Sequence, residues 1–361
     1  MLSTQKKLLF VVVLLVISIL LPIIIAEIVL EFYGIKRYQT WLEMDERGFM
    51  KNRSDFKAFG YTFEGPTNYQ FDENGNRITQ INPKSDSALR VFMMGDSFLF
   101  GLYLEDSLTI THKLNQITPS TIEFINGGVG GSGTGDHLWH LKIFLEKEKL
   151  DKVILLLNYD DIDRMIGKNL FILKNDLLIE SQRFKPNYWY YFIHGKKWHS
   201  WLEKHSRFYA LISKWMWKNF FFYDDFDNIS KNPKFIWPQN EELYPENPYS
   251  KNLFLRIMKE MKELCETNNI GFSVISTGYK PDSISNPRTF SVYPKLDSLL
   301  SLESIPFIDL RVDLESVSHG DIKKVSLWPD NHPNDLGTET ILNGIMKKWY
   351  LPKLKDGFGI N

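Results

Sequence analysis

The chain has 361 residues, 43% of them hydrophobic and 24% charged, which excludes wholesale disorder and suggests about two domains by length. Lys and Arg total 43 against 44 Asp and Glu, a formal charge of -1 with no polybasic field, so no nucleic-acid partner is expected. The single cysteine, Cys265, excludes an internal disulfide framework and any cysteine-based metal cluster.

Residues 8–26 form an uncharged apolar run, LLFVVVLLVISILLPIIIA. As a helix rising about 1.5 Å per residue, it is long enough to cross a hydrocarbon core of about 30 Å. Lys6 and Lys7 precede it, and Glu27 and Glu31 follow it. No small-residue cleavage site follows the run, so residues 1–37 read as an uncleaved transmembrane anchor. Lys6 and Lys7 place the N-terminus in the cytoplasm and the bulk of the chain outside it, although Lys36 and Arg37 on the far side count against this. Residues 38–87 are a polar lead-in, with a hairpin turn expected at Asp72-Glu73-Asn74-Gly75-Asn76.

Five short apolar runs follow: 90–94 (RVFMM), 122–126 (IEFIN), 152–158 (KVILLLN), 271–276 (GFSVIS) and 305–310 (IPFIDL). Near-continuous apolar runs of this length suit parallel strands buried on both faces. Helix-period stretches occupy 105–116, 134–149, 252–268, 293–302 and 337–349. The alternation predicts a three-layer α/β/α sandwich around a five-stranded parallel sheet over residues 88–352. An insert at 168–250 interrupts it and carries Trp189, Trp198, Trp201, Trp215, Trp217 and Trp237. Three readings of the insert stay open: padding for the sheet, a lid or sugar-stacking surface, or contact with the membrane interface.

In such sheets the chemistry collects at the C-terminal strand ends. The first strand ends in Gly95-Asp96-Ser97, where Ser97 could be a nucleophile or merely a helix cap. The second ends in a glycine-rich loop from Asn126 to Gly135, which lets backbone N–H groups approach a ligand. It lacks the Gly-Lys-Ser/Thr ending of a phosphate-binding loop, and no G-x-G-x-x-G follows the first strand. The third ends at Asn158, whose amide could donate to an oxyanion. Asp160, Asp161 and Asp163 behind it lack fixed ligand spacing, so a solvated helix start is expected rather than a metal site. Near the C-terminus, Asp330 and His332 flank one residue, a spacing that lets the carboxylate orient the imidazole.

Taken in order, Gly-Asp-Ser, Asn-x-Gly-x-x-Gly, a strand-end Asn and Asp-x-His-Pro-Asn resemble the SGNH/GDSL hydrolases, in particular membrane-anchored bacterial members reading Gly-Asp-Ser-Phe-x-Phe-Gly. The resemblance implies a flavodoxin-like fold, a triad of Ser97, His332 and Asp330, and an oxyanion hole from Ser97, Gly131 and Asn158. It implies no cofactor and no metal. One departure is that Asn158 is followed by Tyr159 rather than Asp. The implied function is a serine esterase acting on an O-acyl ester, and the external anchored location points to a cell-envelope carbohydrate. Two alternatives stay open. One is an O-acetyltransferase of an exported polysaccharide, which would call for a membrane acyltransferase partner. The other is a non-catalytic carbohydrate-binding module. Retention of Ser97, Asp330 and His332 together favours the enzyme.

Overall fold

The structure is a computed structural model that describes residues 4–37, 39–62, 65–79, 87–181, 188–194, 196–216, 248–278, 296–327 and 332–352. The chain opens with helix α1 (Thr4–Phe32). It divides into two compact units. The smaller comprises Met1–Thr40, Ala58–Gly60 and Asn187–Phe222. The larger comprises Trp41–Lys57, Tyr61–Pro186 and Tyr223–Asn361.

The larger unit is built on five parallel strands: β1 (Leu89–Gly95), β2 (Ile122–Gly128), β3 (Lys152–Leu157), β4 (Gly271–Ser276) and β5 (Phe307–Asp309). Their order is β5-β4-β3-β1-β2, so the chain crosses over in both directions from β1. This is the five-stranded parallel sheet expected from the apolar runs. Alternate residues of each strand feed opposite layers. Val91 and Met93 of β1 and Ile154 and Leu156 of β3 join a core with α3 (Ile110–Ile117), α11 (Arg311–Ser318) and α12 (Asp335–Ile345). Phe92 points the other way and stacks on Phe144 of α4 (Thr134–Lys147), ring centroids 4.0 Å apart. Helix α9 (Pro248–Thr267) packs against α4 and α10 (Leu296–Leu302) and buries Phe254, Ile257, Met258, Met261 and Cys265. Each fully buried aliphatic or aromatic side chain contributes on the order of 1.5–3 kcal/mol, so the sheet is the main source of stability.

Caps move several boundaries from those expected. The run 152–158 leaves the sheet at Leu157 because Asn158 caps helix α5 (Tyr159–Lys168), its amide N–H donating to Asp161 Oδ2 at 2.8 Å. The stretch 105–116 is broken at Thr109, whose hydroxyl accepts from His112 N and starts α3. Helix α12 begins at Asp335, ahead of the expected 337, because Asn334 Oδ1 accepts from Gly337 N at 2.9 Å. The run 305–310 is strand only over Phe307–Asp309, and Leu310 leads directly into α11.

The expected turn at residues 72–76 is present. Asp72 Oδ1 accepts from Asn74 N at 2.9 Å and from Asn76 N at 2.8 Å, and Gly75 supplies a φ of +80°. The turn delivers Arg77 to the open edge of β2, where its N–H donates to Asn126 O at 3.1 Å. The Arg77 side chain is fully buried. Its Nη1 donates to Phe100 O at 2.7 Å and Gly101 O at 2.8 Å, and its Nη2 to Leu104 O and Asp106 Oδ1. The guanidinium also lies over the rings of Tyr69 and Phe100, at 4.6 and 4.8 Å. Arg77 thus holds together the loop that follows the first strand.

The smaller unit packs α1 against α8 (Arg207–Met216), and α8 against α7 (Lys197–His205). It also contains α6 (Tyr188–Ile193).

Arg77→Leu strips three carbonyls and Asp106 of their shared donor. We expect the urea midpoint to fall by the equivalent of about 3–5 kcal/mol. Arg77→Lys should recover only part of this, because an ammonium cannot fork between four acceptors.

Candidate active site

Strand register decides what surrounds Ser97. Gly95, the last residue of β1, pairs with Gly128 of β2 on one side and Leu156 of β3 on the other. Two residues further along each chain lie Ser97, Gly130 and Asn158. The register therefore brings the serine, the glycine loop and the strand-end asparagine to one edge of the sheet.

Asp96 turns the chain out of β1. Its Oδ1 accepts from Phe98 N at 2.9 Å and caps the one-turn helix α2 (Ser97–Phe100), which Gly101 closes in the left-handed region at φ +75°. Ser97 opens this turn. His332 comes from the loop ahead of α12, a loop pinned by Leu327 N donating to His332 O at 2.7 Å and Asn334 N donating to Val325 O at 3.1 Å. His332 Nε2 lies 2.8 Å from Ser97 Oγ, a hydrogen bond between residues 235 positions apart. The imidazole rests against Phe98 at 5.2 Å and meets Tyr103 edge-on at 5.6 Å, which limits its rotation. Asp330 lies outside the described residues.

The glycine loop passes directly beside the serine. A Cβ built on Gly130 would stand 4.0 Å from Ser97 Cβ. Val129 N donates to Gly95 O at 3.0 Å, and Ser132 Oγ donates to Val129 O at 2.7 Å, closing the turn. Gly131 sits within it at φ +70°, with open space where a Cβ would be, so backbone conformation rather than crowding calls for glycine there. Asn158 is buried at the end of β3, and its Oδ1 accepts from Thr277 Oγ1 at 3.1 Å. With the carbonyl end occupied, Nδ2 is the end of the side chain free to turn toward a ligand as donor.

The acidic cluster differs from the solvated helix start expected of it. Asp161 is fully buried, and its carboxylate accepts from the Asn158 amide. Arg164, one turn along α5, gathers the surrounding carboxylates. Its Nη1 donates to Asp96 Oδ2 at 2.8 Å and to Ser132 O at 3.2 Å, and lies 3.5 Å from Asp161 Oδ1. Its Nη2 donates to Asp160 Oδ2 at 3.0 Å. One guanidinium therefore ties together the cap of α2, the glycine loop and α5. Burial pushes the Asp160 carboxyl up, and burial together with the Asp96 charge pushes Asp161 up. The three carboxylates outweigh burial at Arg164 and hold it protonated. Sequence reasoning passed over Arg164. Its i,i+4 and i,i+3 spacing from Asp160 and Asp161 on one helix is the signal that could have found it. Among the described residues, no group of three or more His, Cys, Asp or Glu side chains is placed to hold a metal.

No protein-family profile matches the sequence, and no curated protein matches it significantly. Several solved structures are similar to part of the chain. A lipolytic protein of the G-D-S-L family from Veillonella parvula shares 11% identity at a TM-score of 0.40, covering 73% of this chain and 99% of its own. An acetylxylan esterase from Geobacillus stearothermophilus shares 11% identity at a TM-score of 0.40, covering 73% and 95%. A GDSL-like lipase from Bacteroides thetaiotaomicron shares 12% identity at a TM-score of 0.34, covering 75% and 93%.

Arg164→Met leaves Asp96 and Asp161 buried without their cation. At neutral pH we expect a stability loss of about 3–5 kcal/mol in urea titrations. Carboxyls with raised folded-state pKa values bind protons more tightly in the folded protein, so the deficit should narrow as the pH falls and they become neutral.

Proposed function

We propose that the protein is a serine ester hydrolase of the SGNH type, with Ser97 as nucleophile and His332 as general base. The observation that supports this most directly is the 2.8 Å contact between Ser97 Oγ and His332 Nε2 at the C-terminal edge of the parallel sheet. A binding module has no need of a hydroxyl held on an imidazole.

The reaction then follows the Ser-His-Asp pattern. His332 Nε2 takes the Ser97 hydroxyl proton as Oγ attacks the acyl carbonyl. The resulting oxyanion is met by the Ser97 and Gly131 backbone N–H groups and by Asn158 Nδ2. Removing one such donor typically costs about 10²–10³-fold in rate. The carbonyl re-forms as the alcohol departs with the proton from His332. A water then enters, gives its proton to His332 and attacks the acyl-enzyme. Collapse releases the carboxylic acid and restores the Ser97 hydroxyl. Asp330 is assigned the role of orienting the imidazole through its motif position, two residues before His332.

The proposed substrate is an O-acyl ester of a cell-envelope carbohydrate. This rests on α1, in which the most apolar 18-residue window has a mean hydropathy of 3.5 and no buried residue. A helix with these properties is suited to a lipid environment. We place its N-terminus in the cytoplasm and the larger unit on the extracytoplasmic side, following Lys6 and Lys7.

Ser97→Ala is expected to lower hydrolysis of a short p-nitrophenyl ester by a factor on the order of 10⁶ without changing the melting temperature, and His332→Ala nearly as far. Retention of more than a tenth of wild-type activity by Ser97→Ala would remove the nucleophile assignment. For the location, protease added to spheroplasts should digest the larger unit while cytoplasmic markers survive. Full-length protein in the soluble fraction after lysis would exclude the anchor.

A further inference from the structure

The smaller unit is arranged inside out. Helix α7 turns His199, Ser200 and Glu203 inward and leaves Trp198 and Trp201 at 49% and 58% exposure. Helix α8 buries Ala210 and Ser213 while exposing Leu211 and Trp215. Among the described residues, the centre of this helix pair is polar. Glu203 Oε1 accepts from Ser213 Oγ at 2.6 Å and from Thr40 Oγ1 at 2.8 Å, and its Oε2 accepts from Thr40 N at 3.1 Å. His199 Nδ1 lies 2.8 Å from Tyr209 Oη. Burial alone would raise the Glu203 carboxyl. His199 Nε2, 3.3 Å from Glu203 Oε1, and the hydrogen bonds from Ser213 and Thr40 outweigh it, so the group stays below the ordinary carboxylate range. A helix pair made for water has the reverse arrangement, with apolar residues inside and polar ones outside.

The same unit fixes the level of this hairpin along α1. The run 8–26 rises about 28 Å as a helix and matches one bilayer core, so Glu27 falls at its boundary. Glu27 Oε2 accepts from Arg207 N, and Oε1 from Phe208 N, each at 3.0 Å, and Ser206 Oγ also donates to Oε1. The first free N–H groups of α8 are thus capped by a carboxylate belonging to α1. Arg207 adds an ion pair to Glu31 at 3.1 Å and donates to Ile35 O at 3.0 Å. Around the exposed tryptophans stand Lys196, Lys197, Lys204 and Lys214, all exposed. Tryptophan with lysine at this level is the composition that suits the headgroup region, where the indole sits at the acyl boundary and the ammonium meets lipid phosphate.

We propose that the α7–α8 hairpin lies in the membrane interface, with Trp198, Trp201 and Trp215 immersed at the boundary between headgroups and acyl chains in the leaflet where α1 ends. The occupant of this aromatic face is lipid. The proposal rests on the reading of α1 as a membrane span, and it gives that helix a second task. By capping α8, α1 holds the hairpin at its depth, a contact that removal of a cleaved leader would destroy. Helices α7 and α8 of the aromatic insert are then part of the attachment to the membrane.

The test uses the full chain in nanodiscs of phosphatidylethanolamine and phosphatidylglycerol. Cys265→Ser removes the one native thiol, and single cysteines replace Trp201, Val16 or the exposed Lys324 for labelling with an environment-sensitive nitrobenzoxadiazole. Each labelled protein must keep the wild-type rate on a small ester, which confirms that it is folded. We expect the Trp201→Cys probe to shift to the blue and to be quenched several-fold more by lipids spin-labelled just below the headgroup than the Lys324→Cys probe. The Val16→Cys probe should respond to mid-chain labels. Quenching at position 16 without quenching at 201 overturns the interfacial hairpin and leaves the span standing. Quenching at neither position overturns the span as well. A 201 probe shielded from aqueous iodide but untouched by lipid labels overturns the proposal in favour of a protein partner or a second copy of the chain. Repeating the measurement with Trp215→Cys guards against a purely local effect at position 201.

Discussion

The turn that carries Ser97 rests on bare backbone. A Cβ at Gly128, the last residue of β2, would fall 2.3 Å from Phe100 N and 2.6 Å from Phe100 Cα. Only because that position lacks a side chain can α2 lie flat on the neighbouring strand, and only there does Ser97 meet His332. A single helical turn has no stability of its own, since nucleation costs more than one hydrogen bond returns. Its carbonyls are therefore satisfied from outside. Asn126 Nδ2 donates to Leu99 O at 3.0 Å, and Arg77 serves Phe100 O and Gly101 O. The serine is positioned by β2 and by the lead-in that precedes β1 as much as by its own strand.

Electrostatics fixes the other side of the same turn. Asp96 faces inward with no exposure, and a lone carboxylate there would be costly. Arg164 compensates it, and the same guanidinium reaches Ser132 O in the glycine loop. Buried ion clusters of this kind do little for net stability, because desolvation cancels much of the Coulomb gain. Their effect here is geometric. The cap of α2, the glycine loop and α5 are all bonded to one rigid, planar cation, which fixes their spacing around Ser97.

The two units distribute their polar and apolar side chains differently. In the larger one, apolar strands fill the centre, and its buried ions are confined to caps and loop clasps. In the smaller one, a charged carboxylate sits among hydroxyls and an imidazole while tryptophans face outward. In both, the charged groups Glu203 and Arg164 are hydrogen-bonded, as the cost of burying a charge requires. They differ in which face carries the apolar surface, as expected if one unit is solvated by water and the other partly by lipid.

The sequence by itself determined the five strands, because runs buried on both faces are apolar without interruption and need no knowledge of their neighbours. It also determined the apolar N-terminal helix and the order of the site blocks, since Gly-Asp-Ser and Asp-x-His are local patterns. The burial of the α5 start was not legible because its opening Asp160 and Asp161 have the composition of a solvated surface, and only the fold supplies the Arg164 and Asn158 partners that make burial tolerable. Arg77 looked like any lead-in charge until the turn at Asp72 carried it to the edge of β2. The six tryptophans of the insert could be counted but not oriented. Whether Trp201 faces a core or the outside depends on which residues of α7 pack on α8 and on Thr40, and the contact of Glu203 with Thr40 spans 163 positions. Composition and period report what a segment can bury. Which partner it buries against, and so which charges are paired and which rings are left uncovered, was decided only when distant segments met.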